Sequence, residues 1–519
     1  MTQMPPVYPT VLHMLAAAID ARPDRVALRC GPEELTYRDY GACVAGFAAE
    51  LGRDVGGKRV ALIMGNSIDI AVATFAVGAA GAQVVPLNPA YTEYELRPIL
   101  EDAAPAVIVC DDGLAETVAP IAQELGIARV IRIGAGRRLT AWKSQTMSLP
   151  APPEPGALWT LQYTGGTTGR SKGVNLSHEA VAINIAQREA LLPSGDGERI
   201  LIVTPLYHSY AIAMGLYLAV YCRGTLGILP RYRPEDVLAA IARERITLFA
   251  GSPTLFVGLM AHEAFSGTDF SSLRLCFSGA SALAVETLRR WEQATGCAIC
   301  EGYGQSEAGP VLTYNPRNGV RKPGSAGPPL PLTEIEIVDV AEGSQRLAAG
   351  AVGEIRARGP QIMTGYRNRP DETRSALRDG WLYTGDIGML DEDGYLFIKD
   401  RKKDMVIVGG FNVYPREVEE VLCAHGAVQE AAVIGVPDIY RGEVLRAYVV
   451  LRPGAAATEP ELALHVRERL TKYKHPREIS IRRTLPKTNV GKIDKVRLRL
   501  ESSDRALLSA ATSADQPDA

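Results

Sequence analysis

The sequence predicts an α/β protein with a large N-terminal domain of mostly parallel sheets flanked by helices, a small β-subdomain, and a small α+β C-terminal domain. Three observations carry this expectation. Short β-rich runs alternate with helical patterns from Val26 onward, which is the signature of parallel sheets joined by helices. The texture changes near residue 330, where Gly327-Pro-Pro-Leu-Pro-Leu is turn-rich and short strands follow. A compact unit of roughly a hundred residues then follows the charged run Asp400-Arg-Lys-Lys-Asp404. The chain has 519 residues, too many for one ordinary core.

In the first stretch, Arg59–Met64, Val84–Leu87, Ala106–Cys110 and Arg129–Ile133 read as strands, and Ser67–Ala80, Glu93–Ala103 and Leu114–Leu125 as helices. Thr92 with Glu95 forms a capping box, and Thr36 with Asp39 a weaker variant of one. The apolar run Ile70–Leu87 is long enough for a membrane span. It contains Gln83 and Pro86, however, and reads better as a helix followed by a buried strand. The alternation resumes at Arg199–Val203, Thr247–Gly251, Leu273–Ser278 and Ala298–Glu301. Pro234 suits the first turn of a helix running to Arg245. Glu334–Val338, Gly353–Arg358 and a hairpin at Asp391-Glu-Asp-Gly394 mark the β-subdomain. A helix near Pro415–His425 and a strand at Leu445–Leu451 belong to the last unit. The expected division is residues 1–400, a hinge at 401–404, a C-terminal domain over 405–502, and a disordered polar tail over 503–519.

Hydrophobic residues make up 46% and charged residues 22%, values of a soluble globular protein. A net charge of −3 argues against a dedicated nucleic-acid binder. The eight cysteines are scattered and no secretion signal opens the chain, so a reducing, cytoplasmic setting is expected. Cys297 and Cys300 form one CxxC without a second pair at zinc spacing, so both read as strand residues.

The chain is organised around Tyr163-Thr-Gly-Gly-Thr-Thr-Gly-Arg-Ser-Lys-Gly173. Four of these eleven residues are glycine, three are threonine and one is serine. Glycines let a backbone approach a ligand, hydroxyls donate to phosphate oxygens, and Lys172 supplies a cation. The stretch reads as a triphosphate-binding loop between a strand over Ala157–Tyr163 and a helix over Glu179–Leu191 capped by Ser177. It is not a Walker loop, because Lys172 precedes Gly173. A flexible surface linker is the bland alternative.

Further along stand Pro205-Leu-Tyr-His208, Ser278-Gly-Ala-Ser281, Glu301-Gly-Tyr-Gly-Gln-Ser-Glu307, Tyr383-Thr-Gly-Asp386, Val408-Gly-Gly-Phe-Asn412 and Pro486-Lys-Thr-Asn-Val-Gly-Lys492. Taken singly, each has a plain structural explanation: a core histidine, a strand-to-helix turn, a surface carboxylate, a turn, a hairpin, and a basic face. Residues 472–499 hold ten Lys or Arg and two acids, and most of those cations read as solvated.

In this order the motifs resemble the adenylate-forming superfamily of acyl-CoA synthetases, luciferases and adenylation domains, and most closely bacterial long-chain fatty acid–CoA ligases. The resemblance implies a two-step reaction. A carboxylate attacks the α-phosphate of ATP to give acyl-AMP and pyrophosphate, and the thiol of coenzyme A then displaces AMP. It assigns Thr164, Gly165, Gly166, Thr167, Thr168, Gly169 and Lys172 to the β- and γ-phosphates. Gly279, Ala280, Ser281, Gly302, Tyr303, Gly304 and Ser306 go to the nucleotide, with Tyr303 flat against adenine and Gly302 letting the base approach. Asp386 and Arg401 go to the ribose, and Glu307 to Mg²⁺. His208, Tyr210, Gly279 and Gly304 border the acyl pocket, and the apolar Ala211–Leu218 lines it or belongs to the core. Gly409, Gly410 and Phe411 line the coenzyme A path. Lys403 is the pivot of a mobile C-terminal domain, and Lys492 is the catalytic lysine that joins His208 and Glu307 in the chemistry. Ser306 stands where the family usually has Thr.

The implied substrate is a hydrophobic acid, a medium- or long-chain fatty acid, with aromatic or alicyclic acids as the alternative. Loading of a carrier protein is disfavoured, because Tyr207-His-Ser-Tyr210 offers no aspartate for an amine. No integral span is expected, although a fatty substrate brings peripheral membrane contact with it.

Overall fold

The structure is a computed structural model, and it describes residues 4–164, 171–408, 411–438, 441–488 and 491–502. Two large sheets form the body of the molecule. The seven-stranded sheet runs, edge to edge, through Gly365–Tyr366, Lys172–Ser177, Leu158–Thr164, Gln83–Leu87, Arg59–Ile63, Val107–Asp111 and Arg129–Ile133. Its centre is parallel, and Leu158–Thr164 turns back on Lys172–Ser177 as an antiparallel hairpin. The eight-stranded sheet runs through Thr313–Tyr314, Ile299–Tyr303, Leu275–Ser278, Leu248–Gly251, Arg199–Ile202, Thr225–Ile228, Val26–Cys30 and Glu33–Thr36. It is parallel except for its two edge strands.

The apolar run 70–87 resolves into the helix Ile68–Ala79 and the strand Gln83–Leu87. Every residue of that helix is buried, which explains its lack of a polar face. Ala and Gly keep its surface thin where aromatic rings press on it. A Cβ on Gly78 would lie 2.0 Å from the Trp159 ring. Pro86 is unexpected inside a central strand, because it has no N–H to give the ladder. The register explains it: this strand meets Leu158–Thr164 only at Val84 and Thr160, so the seam has already opened at Pro86.

The helix starts follow their caps. Ser67 accepts from Ile70 N, Ser177 from Ala180 N, and Thr92 with Glu95 closes both bonds of its box. The helices end within one to two residues of the expected positions, at Glu124, Arg243 and Cys423. Two details differ from expectation. Cys300 lies in a strand, but Cys297 sits in the turn before it, with its sulfur 3.8 Å from that of Cys276. Ser278 ends its strand, yet the next helix opens only at Val285, so Gly279–Ser281 is loop.

A third, antiparallel sheet comprises Glu334–Val338, Gly353–Arg358, Trp381–Leu390 and Leu377–Arg378, with Leu396–Arg401 paired to Trp381–Leu390. The fourth comprises Phe411–Val413, Val406–Val408, Gly442–Leu451 and Val428–Asp438, with Glu478–Arg482 parallel to Gly442–Leu451. The helices Pro415–Cys423 and Glu459–Arg467 pack on it and enclose a separate core. No helix among the described residues is long and apolar enough to cross a membrane.

The packing at Gly78 gives a direct test. Gly78→Ala should destabilise the protein by about 1–3 kcal/mol, as overpacked cores do. Gly136→Ala, which meets open space, should stay within about 0.5 kcal/mol. Urea unfolding midpoints compare the two.

Candidate active site

The site lies where the strands of the eight-stranded sheet end, the usual place for ligands in an open α/β sheet. His208 follows the strand Arg199–Ile202, and three side-chain bonds hold its approach. Asn66 accepts from Leu206 N at 2.8 Å and donates to Thr204 O at 3.2 Å, and Gln162 donates to Tyr207 O at 2.8 Å. The amide of Tyr210 donates to His208 Nδ1 at 3.3 Å. Nδ1 is therefore the acceptor, and the neutral ring carries its proton on Nε2. Burial, with Lys492 nearby, pushes this imidazole down to about 3, so the ring is neutral at any working pH.

Three glycines of the expected nucleotide segments have structural causes. A Cβ on Gly279 would lie 2.5 Å from the Tyr210 ring, and one on Gly302 would lie 2.6 Å from the Tyr314 ring. One on Gly304 would lie 1.9 Å from the carbonyl oxygen of Pro310. Gly302 thus has a packing reason to be glycine besides the approach of a base expected from the sequence. Between them, Ala280 is held at a φ of +67°. A left-handed alanine is a strained residue of the kind found at binding loops. Ser281 follows it in the same loop.

Charged groups converge beside this loop. Tyr303 OH donates to Asp386 Oδ2 at 2.7 Å, and Arg401 Nε stands 3.7 Å from Asp386 Oδ1. Burial pushes the Asp386 carboxyl up, while Arg401, Tyr303 and Lys492 pull it back. Lys492 comes from the opposite lobe. Burial and Arg401 push its ammonium down to about 8, against the pull of Asp386. Glu307 accepts from Tyr366 OH at 2.8 Å, and burial raises its carboxyl. Lys172 lies 5.1 Å above the same Tyr366 ring. Thr164 and Lys172 face each other at the end of their hairpin. Gly165, Gly166, Thr167, Thr168 and Gly169 lie outside the described residues, as do Gly409 and Gly410. Ser306 Oγ is 3.1 Å from Ser209 Oγ.

A narrow cavity opens next to Ser209. It is lined by Pro86, Gln162, Val181, Ile212, Ala213 and Tyr217, among others. The segment that supplies Ile212, Ala213 and Tyr217 is a π-helical turn, Ile212–Tyr217, a local widening common at functional sites. That stretch divides its residues between two roles: Met214 and Leu216 face the core, while Ile212, Ala213 and Tyr217 also border the cavity. Tyr210 packs on Gly279 rather than on the cavity. Lys403 lies in the turn after Leu396–Arg401, its amine pushed down by burial and by Arg401. Phe411 is 56% exposed, and its ring stacks on Tyr473 at 4.7 Å.

The expected basic face over 472–499 is instead largely paired. Lys474 bonds Glu417, Lys487 bonds Glu430, Lys495 bonds Glu419 and Arg499 bonds Asp404. The reason is tertiary: those acids lie far away in sequence.

Residues 15–367 match the family model of the AMP-binding enzymes, and residues 417–492 match that of the AMP-binding enzyme C-terminal domain. The chain belongs to the AMP-binding enzyme family. A long-chain-fatty-acid–CoA ligase of Bacillus subtilis (strain 168) is 37% identical over 95% of this chain and 95% of its own. A feruloyl-CoA synthase of an Amycolatopsis species is 37% identical over 92% and 96%. The ATP-bound crystal structure of MatB from Rhodopseudomonas palustris, 33% identical, covers 95% of this chain and 99% of its own at a TM-score of 0.88. The apo form of that protein superposes less closely, at 0.80.

Sequence reasoning missed Ser209, Gln162 and Tyr366. Ser209 carried a readable signal, being the hydroxyl next to His208. Gln162 sits in a plain strand, and Tyr366 is 59 residues from the Glu307 it binds, so neither was visible without tertiary contacts.

The electrostatics of this AMP-binding enzyme can be measured directly. The reaction of Lys492 with a small amine reagent, followed by peptide mapping, should show a midpoint near pH 8. Asp386→Asn removes the carboxylate that holds the proton, so the midpoint should fall below that of the parent protein.

Proposed function

We propose that this protein is an AMP-forming acid–coenzyme A ligase for a hydrophobic carboxylic acid, with medium- or long-chain fatty acids as its substrate class. The observation that carries the proposal is the entry of Lys492, from the small lobe, into the large-lobe site between Asp386, Arg401 and His208. That arrangement suits the first half-reaction. The ammonium stands where a carboxylate and an α-phosphate would meet, and it neutralises the charge that builds as the two anions join.

The other roles follow from position. His208 presents its Nε2–H to the substrate carboxylate and remains neutral throughout. Asp386, with Arg401, receives the ribose hydroxyls once Tyr303 OH gives up its bond. Gly279, Ala280, Ser281, Gly302, Gly304 and the Ser306 hydroxyl border the nucleotide. Thr164 and Lys172 flank the triphosphate. Glu307 is the carboxylate for Mg²⁺. Among the described residues no group of three metal-binding side chains exists, and a magnesium ion held by one carboxylate and by phosphate oxygens needs none. When bound, the ion screens the phosphate charge. Lys403 is the pivot about which the small lobe turns for the second half-reaction, bringing Phe411 toward the coenzyme A path. The large lobe is taken as residues 1–400 and the small one as 405–502. We assign the protein to the cytoplasm, with peripheral membrane contact when it loads a fatty acid.

The apolar lining of the narrow cavity beside Ser209, together with the long-chain-fatty-acid–CoA ligase of Bacillus subtilis among the relatives, supports an aliphatic acid. A second reading, an aromatic acid, draws support from the Tyr210 ring on Gly279, which would bound a short flat pocket. A panel of fatty, aromatic and alicyclic acids with ATP and coenzyme A, scored by AMP release, separates the two. The fatty reading requires Ala213→Phe, which fills the cavity, to lower kcat/KM for long acids more than for short ones. An equal effect on both would move the acyl site elsewhere.

Lys492→Ala should lower acid-dependent ATP–pyrophosphate exchange by on the order of 10² or more. Thioester formation from preformed acyl-AMP should change little. Equal loss in the two steps would defeat the two-pose mechanism.

A further inference from the structure

The loop that delivers Lys492 is tied to the large lobe at one backbone atom. Thr254 Oγ1 donates to the carbonyl oxygen of Gly491 at 2.9 Å. Thr254 lies in the first turn of the helix Pro253–Met260, just after the strand Leu248–Gly251. Its hydroxyl is also 2.9 Å from Ser252 Oγ. Ser252 occupies the N-cap of that helix but makes no capping bond to it, so its hydroxyl is spent on Thr254. A serine at an N-cap ordinarily satisfies the N2 or N3 amide. Here the pair forms a short chain of hydroxyls directed at the incoming loop.

The loop is shaped to meet this chain. Gly491 has a φ of +79°, and a Cβ there would lie 3.1 Å from Thr254 Oγ1 and 3.7 Å from Ser252 Oγ. A side chain at 491 would be strained and would also push against the contact. The loop is stiffened from within, because Thr488 N donates to Lys492 O at 2.7 Å and Gly491 N to Thr488 O at 2.8 Å. Lys492 N donates in turn to Thr488 Oγ1 at 3.2 Å. Holding the carbonyl of Gly491 therefore fixes the base of the Lys492 side chain.

We propose that Thr254 is a positioning residue that latches the Lys492 loop to the large lobe in the pose that forms the acyl-adenylate, and releases it for thioester formation. The proposal rests on the two-step ligase reading above. Thr254 acts on Lys492 through the backbone of Gly491, to which its hydroxyl is bonded. Because the bond spans the two lobes, it exists in one pose only. It biases the equilibrium between poses without belonging to the chemistry of either.

Two variants and two readouts test this. Thr254→Val keeps the shape and removes the hydroxyl, and Thr254→Ser restores it. Acid-dependent ATP–pyrophosphate exchange should fall roughly threefold to tenfold in Thr254→Val, the range for one neutral hydrogen bond. It should recover in Thr254→Ser. Conversion of preformed acyl-AMP and coenzyme A to thioester should hold or rise. Exchange at the parent level in Thr254→Val, or equal loss in both half-reactions, would overturn the latch. The second readout needs no activity. The rate at which an amine reagent modifies Lys492 in the ligand-free protein should rise in Thr254→Val and return in Thr254→Ser, and an unchanged rate would also overturn the latch. If the parent protein shows no acid-dependent exchange, the ligase reading fails, and the labelling comparison still decides the latch.

Discussion

A buried ammonium brought in by a separate lobe is the constraint on which the rest of the site depends. Lys492 loses water when it enters, and Arg401 repels it, so its charge is poorly supported by the protein alone. Asp386 is the opposing carboxylate, yet it is itself desolvated and partly engaged by Arg401 and by Tyr303. His208 contributes no charge. Lys492 and the half-exposed Arg401 face Asp386, and the carboxylates of Asp400 and Glu307 act on it too, with the Lys172 cation beside Tyr366 and Glu307. On the proposed function, a polyphosphate and a carboxylate would supply the counter-charge that the desolvated ammonium lacks.

Much of the architecture was readable from local rules. Alternating short strands and helices gave the two parallel sheets, because central strands such as Gln83–Leu87, Leu248–Gly251 and Leu275–Ser278 are buried on both faces and read as apolar runs. Thr36, Thr92 and Ser177 marked helix starts through caps that the structure contains. The failures were tertiary. Cys297 lies outside its expected strand because it packs against Cys276. The glycines of the nucleotide segments read as ligand contacts, and the packing of Gly302 on Tyr314 and of Gly304 on Pro310 was not visible beside that reading. A glycine in a motif signals close approach of something, but sequence does not say of what.

The small lobe shows the same limit. Its last thirty residues looked like a solvated basic surface, and their cations instead find acids on the helix Pro415–Cys423 and the neighbouring strand. Charge patterning along the chain counts neighbours in sequence, whereas ion pairs are decided in space. Lys492 is distinguished by where its loop is placed, not by the density of cations around it. Gly491 was legible as a loop glycine, but its need for a left-handed φ and its carbonyl partner were not.

The acyl end and the reacting end of the proposed site are mechanically joined. Pro86 opens the seam between two strands, and the space it leaves is bounded by Gln162 and Ser209. Gln162 also holds the carbonyl of Tyr207, next to His208, and Ser209 also pairs with the Ser306 hydroxyl. On the proposed function, an acyl group entering this cavity would meet two side chains that hold the segments around His208 and Ser306. Binding energy from methylene groups far from the reaction can then be spent on orientation, which raises turnover rather than affinity alone. On the same reading, a short acid that does not reach Gln162 and Ser209 would gain less from the same groups. Selectivity for the acid and alignment of the reacting atoms would then be coupled through this one pair of side chains.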